Sequence, residues 1–552
     1  AYDWSGASSL LEVKAWGSSP LRSLSYAFYN ASALTSVPDE LPGTVTDLSY
    51  AFTNAGAFNQ DISGWDVSSV TDLSYAFSNA DAFNQDISRW DVSSVTNMRR
   101  LFYGTDLFNQ NIGGWDVSNV EDFHETFEGT QAFNQNLSSW DLSSATDIED
   151  MFTGAEAFNN GCSAKEFTCP LTWGTTTANV IDMEGVFDGA DSFNQSVSDW
   201  DLSSVKYLDE MFQNNDVFNN GCAPNTYTCP LTWGEKTSNV VTLEEMFEDT
   251  DAFNQDISNW NVSSVTDMEE MFQDAAAFNN GCAAGAYDCP LDWGQNTSEV
   301  TTMKEMFQDA DAFNQNVGSW NVSSVTNMEE MFEHDLDDGD YVGTFNNGCA
   351  VGDDSCPIIW TDTGDLQGNS TTGNVLRMDD MFDEIPFDQP IGHWNTSSVT
   401  RMDDMFLNSL FNQDLTDWDV SSVTYMSEMF DGTPFNNGCA AGDTTCPLNN
   451  WDVSSVTIMA EMFEDAAQFN QDIGSWDVSS VTDMDDMFYD SSAFNQDLSS
   501  WCVPDLTSGA VSGFDYLATA WDGDPPGTND DAGRAPGSDW GRPVWGTCPT
   551  QN

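Results

Sequence analysis

The sequence predicts an α/β repeat solenoid of about 17 coils, each a short strand plus a short helix, closed at its C-terminal end by a disulfide-linked cap. Three observations carry the prediction. One unit recurs along the chain, seen at Phe58 to Phe77 as Phe-Asn-Gln-Asp-Ile-Ser-Gly-Trp-Asp-Val-Ser-Ser-Val-Thr-Asp-Leu-Ser-Tyr-Ala-Phe. Its last Phe returns from Phe28, Phe52 and Phe102 through to Phe463 and Phe488. Length changes fall at two points of the unit. Trp65, Trp90, Trp115 and Trp140 are spaced by 25, whereas Trp140 and Trp173 are spaced by 33, and Trp173 and Trp200 by 27. The first change inserts a cysteine loop between the Asn and the Trp. The second adds residues after the Trp, as in Trp173-Gly-Thr-Thr-Thr-Ala-Asn-Val. Hydrophobic residues make up 40% and aromatics 13%, which is enough to fill a long core in a chain grown by stacking.

Within a coil the local chemistry is readable. Phe253-Asn-Gln-Asp-Ile257 reads as extended chain with Phe and Ile facing inward, and Trp-Asp-Val as a second short extended piece. Thr266-Asp-Met-Glu269 has the pattern of a capping box. Met268, Met271 and Phe272 then fall on one stripe of a short helix, with Glu269 and Glu270 pointing outward. Stacking puts like on like. Phe58, Phe83, Phe108 and Phe133 are expected to form an aromatic column. Asn59, Asn84, Asn109 and Asn134 should form an Asn ladder that satisfies neighbouring backbone, and Trp65, Trp90 and Trp115 a third column. The divisions read as 1–15 for an N-terminal segment or cap, 16–501 for the solenoid and 502–552 for the C-terminal cap.

Five cysteine pairs share one separation: Cys162/Cys169, Cys222/Cys229, Cys282/Cys289, Cys349/Cys356 and Cys439/Cys446. Cys502 and Cys548 flank the non-repetitive tail. Nearest-neighbour disulfides are the economical pairing. The rival, zinc, needs four ligands from two short knuckles, and each pair here is isolated with no His nearby. Six bridges imply an oxidising compartment, hence an extracellular or cell-surface protein. The chain opens Ala-Tyr-Asp-Trp without an initiator Met and reads as a mature form whose leader has been removed. No apolar run reaches about 18 residues, so no transmembrane helix is expected.

Asp plus Glu number 91 against 13 Lys plus Arg, for a net charge of −78. That balance excludes nucleic acid and anionic membrane as partners and favours bound cations or a salty medium. The three histidines, His124, His334 and His393, lie in different coils and near no cysteine nucleophile, so no catalytic residues are assigned. Paired carboxylates such as Asp379/Asp380 and Asp403/Asp404 read as a solvated helix face. The best metal candidate is the alternating run Asp335, Asp337, Asp338 and Asp340 with a Gly at the turn, which suits calcium; Asp522, Asp524, Asp530 and Asp531 in the tail are a weaker case. Glycosylation sequons stand at Asn30, Asn136, Asn261, Asn296, Asn321, Asn369 and Asn395. Asn194 also begins one, but it occupies the ladder position and is expected to be buried.

The elements Phe-Asn-Gln-Asp-Ile, Trp, Val-Ser-Ser-Val-Thr-Asp-Met and Met-Phe, shared by 253–272 and 469–488, resemble the BspA-type leucine-rich-repeat surface proteins, also catalogued as a mycoplasma surface-lipoprotein repeat. The resemblance covers roughly residues 16 to 501. It implies a right-handed leucine-rich-repeat-like solenoid, secreted or displayed on a cell, used for adhesion or structure. The cysteine insertions depart from the simplest family pattern. The function expected from all this is a non-enzymatic extracellular structural protein, a self-assembling filament or coat subunit whose partner is itself. The alternative is an adhesin or receptor ectodomain that binds an extracellular protein or glycan.

Overall fold

The computed structural model describes residues 6–18, 20–334, 343–363, 368–506, 511–522 and 541–549. The chain forms two units, Ala1–Val265 with Met271–Ala283, and Thr266–Glu270 with Ala284–Asn552. Each is built of stacked coils.

In the first unit the coil beginning at Phe58 shows the plan. Two tight turns bend it early, Trp65 N–H donating to Ile62 (3.0 Å) and Val70 N–H to Val67 (2.8 Å). These leave little straight chain. The expected strands shrink to one paired residue, Asp72, bridged in parallel to Asp47 before it and Asn97 after it. The predicted helix is replaced by a ribbon of successive turns. Alternate N–H groups bond within the coil, Ala76 to Leu73 (3.0 Å) and Ala80 to Phe77 (2.9 Å). The others reach the next coil, Leu73 to Asn97 (3.0 Å), Tyr75 to Arg99 (2.7 Å) and Phe77 to Leu101 (3.0 Å). The physical reason is backbone handedness. Tyr75 (φ 57°) and Asn79 (φ 54°) are both left-handed, which no α-helix accommodates. The capping box is corrected in the same way. Asp267 Oδ1, not the Thr266 hydroxyl, accepts the N–H of Glu269 (3.1 Å), an Asx turn repeated by Asp72 and Ser74 (2.9 Å). The Thr71 hydroxyl instead bonds the preceding coil at Thr46 (3.2 Å).

The aromatic core follows the expected registers. Phe58, Phe83 and Phe108 are fully buried and stack at 6.0 and 6.1 Å. A second column, Phe52, Phe77 and Phe102, stacks at 5.3 and 5.8 Å and interleaves with the first, Phe77 lying 4.2 Å from Phe83. Each Trp of the third column fastens its coil to the one before. Trp90, Trp115 and Trp140 donate Nε1–H to Ile62, Ile87 and Ile112, each at 3.2 Å. The residues added after Trp173 form a 3-10 helix, Gly174–Asn179, whose buried Thr177 bonds Asp201 of the next coil in both directions.

The second unit repeats the plan, with Phe382, Phe406 and Phe430 stacked at 5.8 and 5.6 Å. Its last repeat is covered. Asp486, Phe488 and Asp490 donate to Ser512, Phe514 and Tyr516, each at 2.8 Å. Phe514 stands edge-on against Phe488, and Trp545 edge-on against Phe514. The described part of the tail contains one α-helical turn, Thr519–Asp522. Among the described residues no helix is long and apolar enough to cross a membrane.

Candidate functional site

Two features rise above the repeating frame: the cysteine loops and the carboxylate ladders. Disulfides join Cys162–Cys169, Cys222–Cys229, Cys349–Cys356, Cys439–Cys446 and Cys502–Cys548, and no cysteine is free, Cys282 and Cys289 included. Each short loop folds over the Asn ladder. The ladder itself runs coil to coil, Asn59 Oδ1 accepting Asn84 N–H (3.1 Å), Asn84 accepting Asn109 (3.0 Å) and Asn109 accepting Asn134 (3.0 Å). In these plain coils it is exposed or half-buried. Under a loop it is sealed. Asn159 is fully buried and donates to Ser163 and Glu166 of the loop. The glutamine of the next coil then clamps the loop. Gln195 is fully buried, accepts Cys169 N–H (2.9 Å), and donates to Asn159 Oδ1 (2.8 Å) and Glu166 O. Gln255, Gln389 and Gln471 hold Cys229, Cys356 and Cys446 in the same way. Gln195→Ala is expected to loosen the 162–169 loop by about 1–3 kcal/mol, since it removes the acceptor of the Cys169 N–H and the donor to Asn159 Oδ1 and Glu166 O. Hydrogen exchange should speed up in that loop, while Gln85→Ala, on the exposed part of the ladder, should leave its own coil unchanged.

The carboxylates are not the solvated face that their sequence pattern suggests. The coils draw them together in columns and partly bury them. Asp379 is 1% exposed and Asp403 8%. Arg377 pairs with Asp379 and Glu329, and Arg401 with Asp403. Elsewhere cations are few. In the first unit burial, and then the repulsion of neighbouring carboxylates, pushes Glu149 up to about 7, Glu184 to about 8 and Glu210 to about 7. In the second unit the same causes raise Glu333 to about 8, Asp380 to about 7, Asp383 to about 9 and Asp404 to about 8. Asp383 is 8% exposed and its Oδ1 has no hydrogen-bond partner.

The acidic run Asp335, Asp337, Asp338 and Asp340 lies outside the described residues, as do Asp524, Asp530 and Asp531. Of the sequon asparagines, Asn136, Asn296, Asn369 and Asn395 are exposed. Asn30, Asn261 and Asn321 are half-buried, their amides engaged with Asn54, Glu235 and Gln295. Asn194 is buried, donating to Cys222 O and accepting from Asn219 and Gly221, as its ladder position required. His124 carried no sequence-level assignment. Its one signal is register, because it follows Arg99 and precedes Glu149 in the same column of the turn ribbon.

One family model matches residues 22–115, 87–172, 164–225, 231–290, 291–337, 362–445 and 439–512, that is, most of the chain. The chain belongs to the family described as "Mycoplasma protein of unknown function, DUF285". Both units are thus DUF285 repeats; the loops Cys162–Cys169 and Cys439–Cys446 fall within matched segments, Cys222–Cys229 straddles the edge of one, and Cys349–Cys356 lies between two. Among curated proteins none matches in sequence. Two solved structures share 9% identity with it. The leucine-rich-repeat ectodomain of the plant membrane receptor kinase GASSHO1/SCHENGEN3 from Arabidopsis thaliana, in complex with CASPARIAN STRIP INTEGRITY FACTOR 2, aligns over 86% of this chain and 71% of its own, with a TM-score of 0.19. The TLR13–ssRNA13 complex aligns over 91% and 82%, with a TM-score of 0.14. Scores this low carry no argument about fold or ligand.

Proposed function

We propose that this DUF285 protein works outside the cell as a non-enzymatic binding surface, its coils forming a leucine-rich-repeat-like solenoid of the BspA type. The observation that carries the reading is the covered end of the second unit. Ser512, Phe514 and Tyr516 accept from Asp486, Phe488 and Asp490 of the last coil, and Trp545 stands against Phe514, so among the described residues these ladder donors are already taken up within the chain. This favours lateral binding over the end-to-end filament expected from sequence. The local disulfides support an oxidising exterior. The carboxylate columns select the partner class. An extracellular protein with a basic face is attracted, whereas an acidic glycan meets a net charge of −78. Exposed Asn136, Asn296, Asn369 and Asn395 are where glycans would be carried, and the Asp335 loop is where calcium would be held.

Light scattering on the purified chain across salt and calcium tests the choice. A monomer throughout is expected, together with binding to a lysine-rich protein that weakens as salt rises. Ordered polymers in electron micrographs would return the chain to the structural-filament reading.

A further inference from the structure

One cluster on the carboxylate face of the first unit differs from the others in holding an imidazole. His124 is 4% exposed. It stands on the turn ribbon between two coils: Arg99 and Arg100 lie before it, and Glu149 and Asp150 after it. Its Nε2 meets the Glu125 carboxylate, and Glu125 is itself paired with the Arg100 guanidinium, which lies over the Tyr103 ring at 4.9 Å. If Nε2 carries the ring proton, as this contact requires, Nδ1 presents its lone pair. Glu149 Oε2 lies 2.8 Å from that nitrogen, off its axis, so that Nδ1 makes no hydrogen bond. Asp147 lies further off, at 3.9 Å. Ligand atoms of His124, Glu149 and Asp150 all come within 4.8 Å of one another. Glu125, Glu128 and Asp150 form an adjoining group of the same kind.

Two lone pairs held this close repel unless a positive species lies between them. Two ligands each about 2.1 Å from one ion stand about 3.4 Å apart in a tetrahedral site and about 3 Å apart at the right angles of an octahedral one, so the 2.8 Å pair needs only a small outward shift to hold an ion. Burial and the two arginines keep the imidazole neutral, its pKa lowered to about 4, which is the form that ligates. Arg100 offsets the charge of Glu125, leaving Glu149 and Asp150 to balance a dication.

We propose that His124, Glu149 and Asp150 form a binding site for a divalent first-row transition ion such as zinc or cobalt. An imidazole among carboxylates selects this class over calcium, which takes oxygen ligands. The site ties two successive coils at a place where the Tyr26, Tyr50 and Tyr75 stack has given way to acidic residues.

The test uses the full chain with Zn2+ or Co2+ alone as the probe. With three histidines in the sequence, the imidazole resonances are separable. One equivalent of Zn2+ at pH 7.5 is expected to shift the His124 signals and leave those of His334 and His393 in place. His124→Gln and Glu149→Gln should each weaken Zn2+ binding by about tenfold or more, while the calcium response of the protein stays as it was. Unmoved His124 signals in the wild-type chain would overturn the proposal, even if a variant failed to fold. So would an imidazole that titrates with a shared proton but ignores Zn2+ and Co2+.

Discussion

Phe187→Ala is expected to cost about 3–5 kcal/mol, and the loss should stay local. The Phe187 ring is fully buried where the two aromatic columns meet. It lies 3.8 Å from Phe193 in its own coil, and 5.6 and 5.7 Å from Phe152 and Phe212 in the coils on either side. Truncation therefore opens a cavity shared by three coils, and these three flanking rings cannot collapse into it without breaking their own stacking. Because each coil touches chiefly its neighbours, stability along such a stack is close to a nearest-neighbour sum. Hydrogen exchange should rise steeply between about residues 150 and 220 and return to wild-type rates by the coil of Phe83. Uniform acceleration along the chain would show instead that the unit unfolds as one cooperative body.

Those columns were legible in the sequence because a repeat writes its register directly. Residues at one position of the unit must lie above one another, whatever the conformation between them. The Asn ladder and the Trp column followed from the same logic, whereas the Trp hydrogen bonds to the preceding coil did not, and the 3-10 helix after Trp173 fell where an insertion had been read. The helix did not follow. Met268, Met271 and Phe272 have helical spacing, but a ribbon of turns whose alternate N–H groups leave for the next coil buries the same residues. The left-handed Glu270 (φ 55°) is invisible in sequence, since glutamate has no preference for that region. A readable signal did exist four residues further on. Asn54, Asn79, Gly104, Gly129 and Gly154 occupy a second left-handed position, and they are the residue types that tolerate it. The carboxylate face was misread for a related reason. On an isolated helix Asp379 and Asp403 would point into water, whereas stacking covers each with the next coil. Register alone could have marked His124, but its value depends on a 2.8 Å approach across coils that no single repeat contains.

Lowering the pH from 8 to about 5.5 should stabilise this strongly acidic protein. Glu149, Glu184 and Glu210 in the first unit titrate at about 7, 8 and 7, and Glu333, Asp383, Asp404 and Glu464 in the second at about 8, 9, 8 and 8. Burial is the largest cause in each case, and repulsion along the ladders comes next. Unfolded carboxylates titrate near 4. The folded chain therefore holds more protons than the unfolded one between about pH 4 and 9. Its stability falls as pH rises through that window and recovers as pH drops. Exposed aspartates act in the opposite sense. Asp61, Asp66 and Asp86 are lowered by hydrogen bonds from Ser63, Ser68 and Ser88, so their contribution is lost only as pH falls below the ordinary carboxylate range. The optimum should lie near pH 5. Solvent screening reduces each ladder term well below the ~1.4 kcal/mol per pKa unit of an isolated site, but the terms accumulate along the stack, giving a rise in Tm of roughly 5 °C. Sodium chloride separates the two causes. It screens repulsion between ionised ladder groups, so it should raise Tm more at pH 8 than at pH 5.5. Melting curves that fall steadily from pH 8 to 5.5, or that respond to salt equally at both, would mean that the ladders are already neutralised by something other than protons.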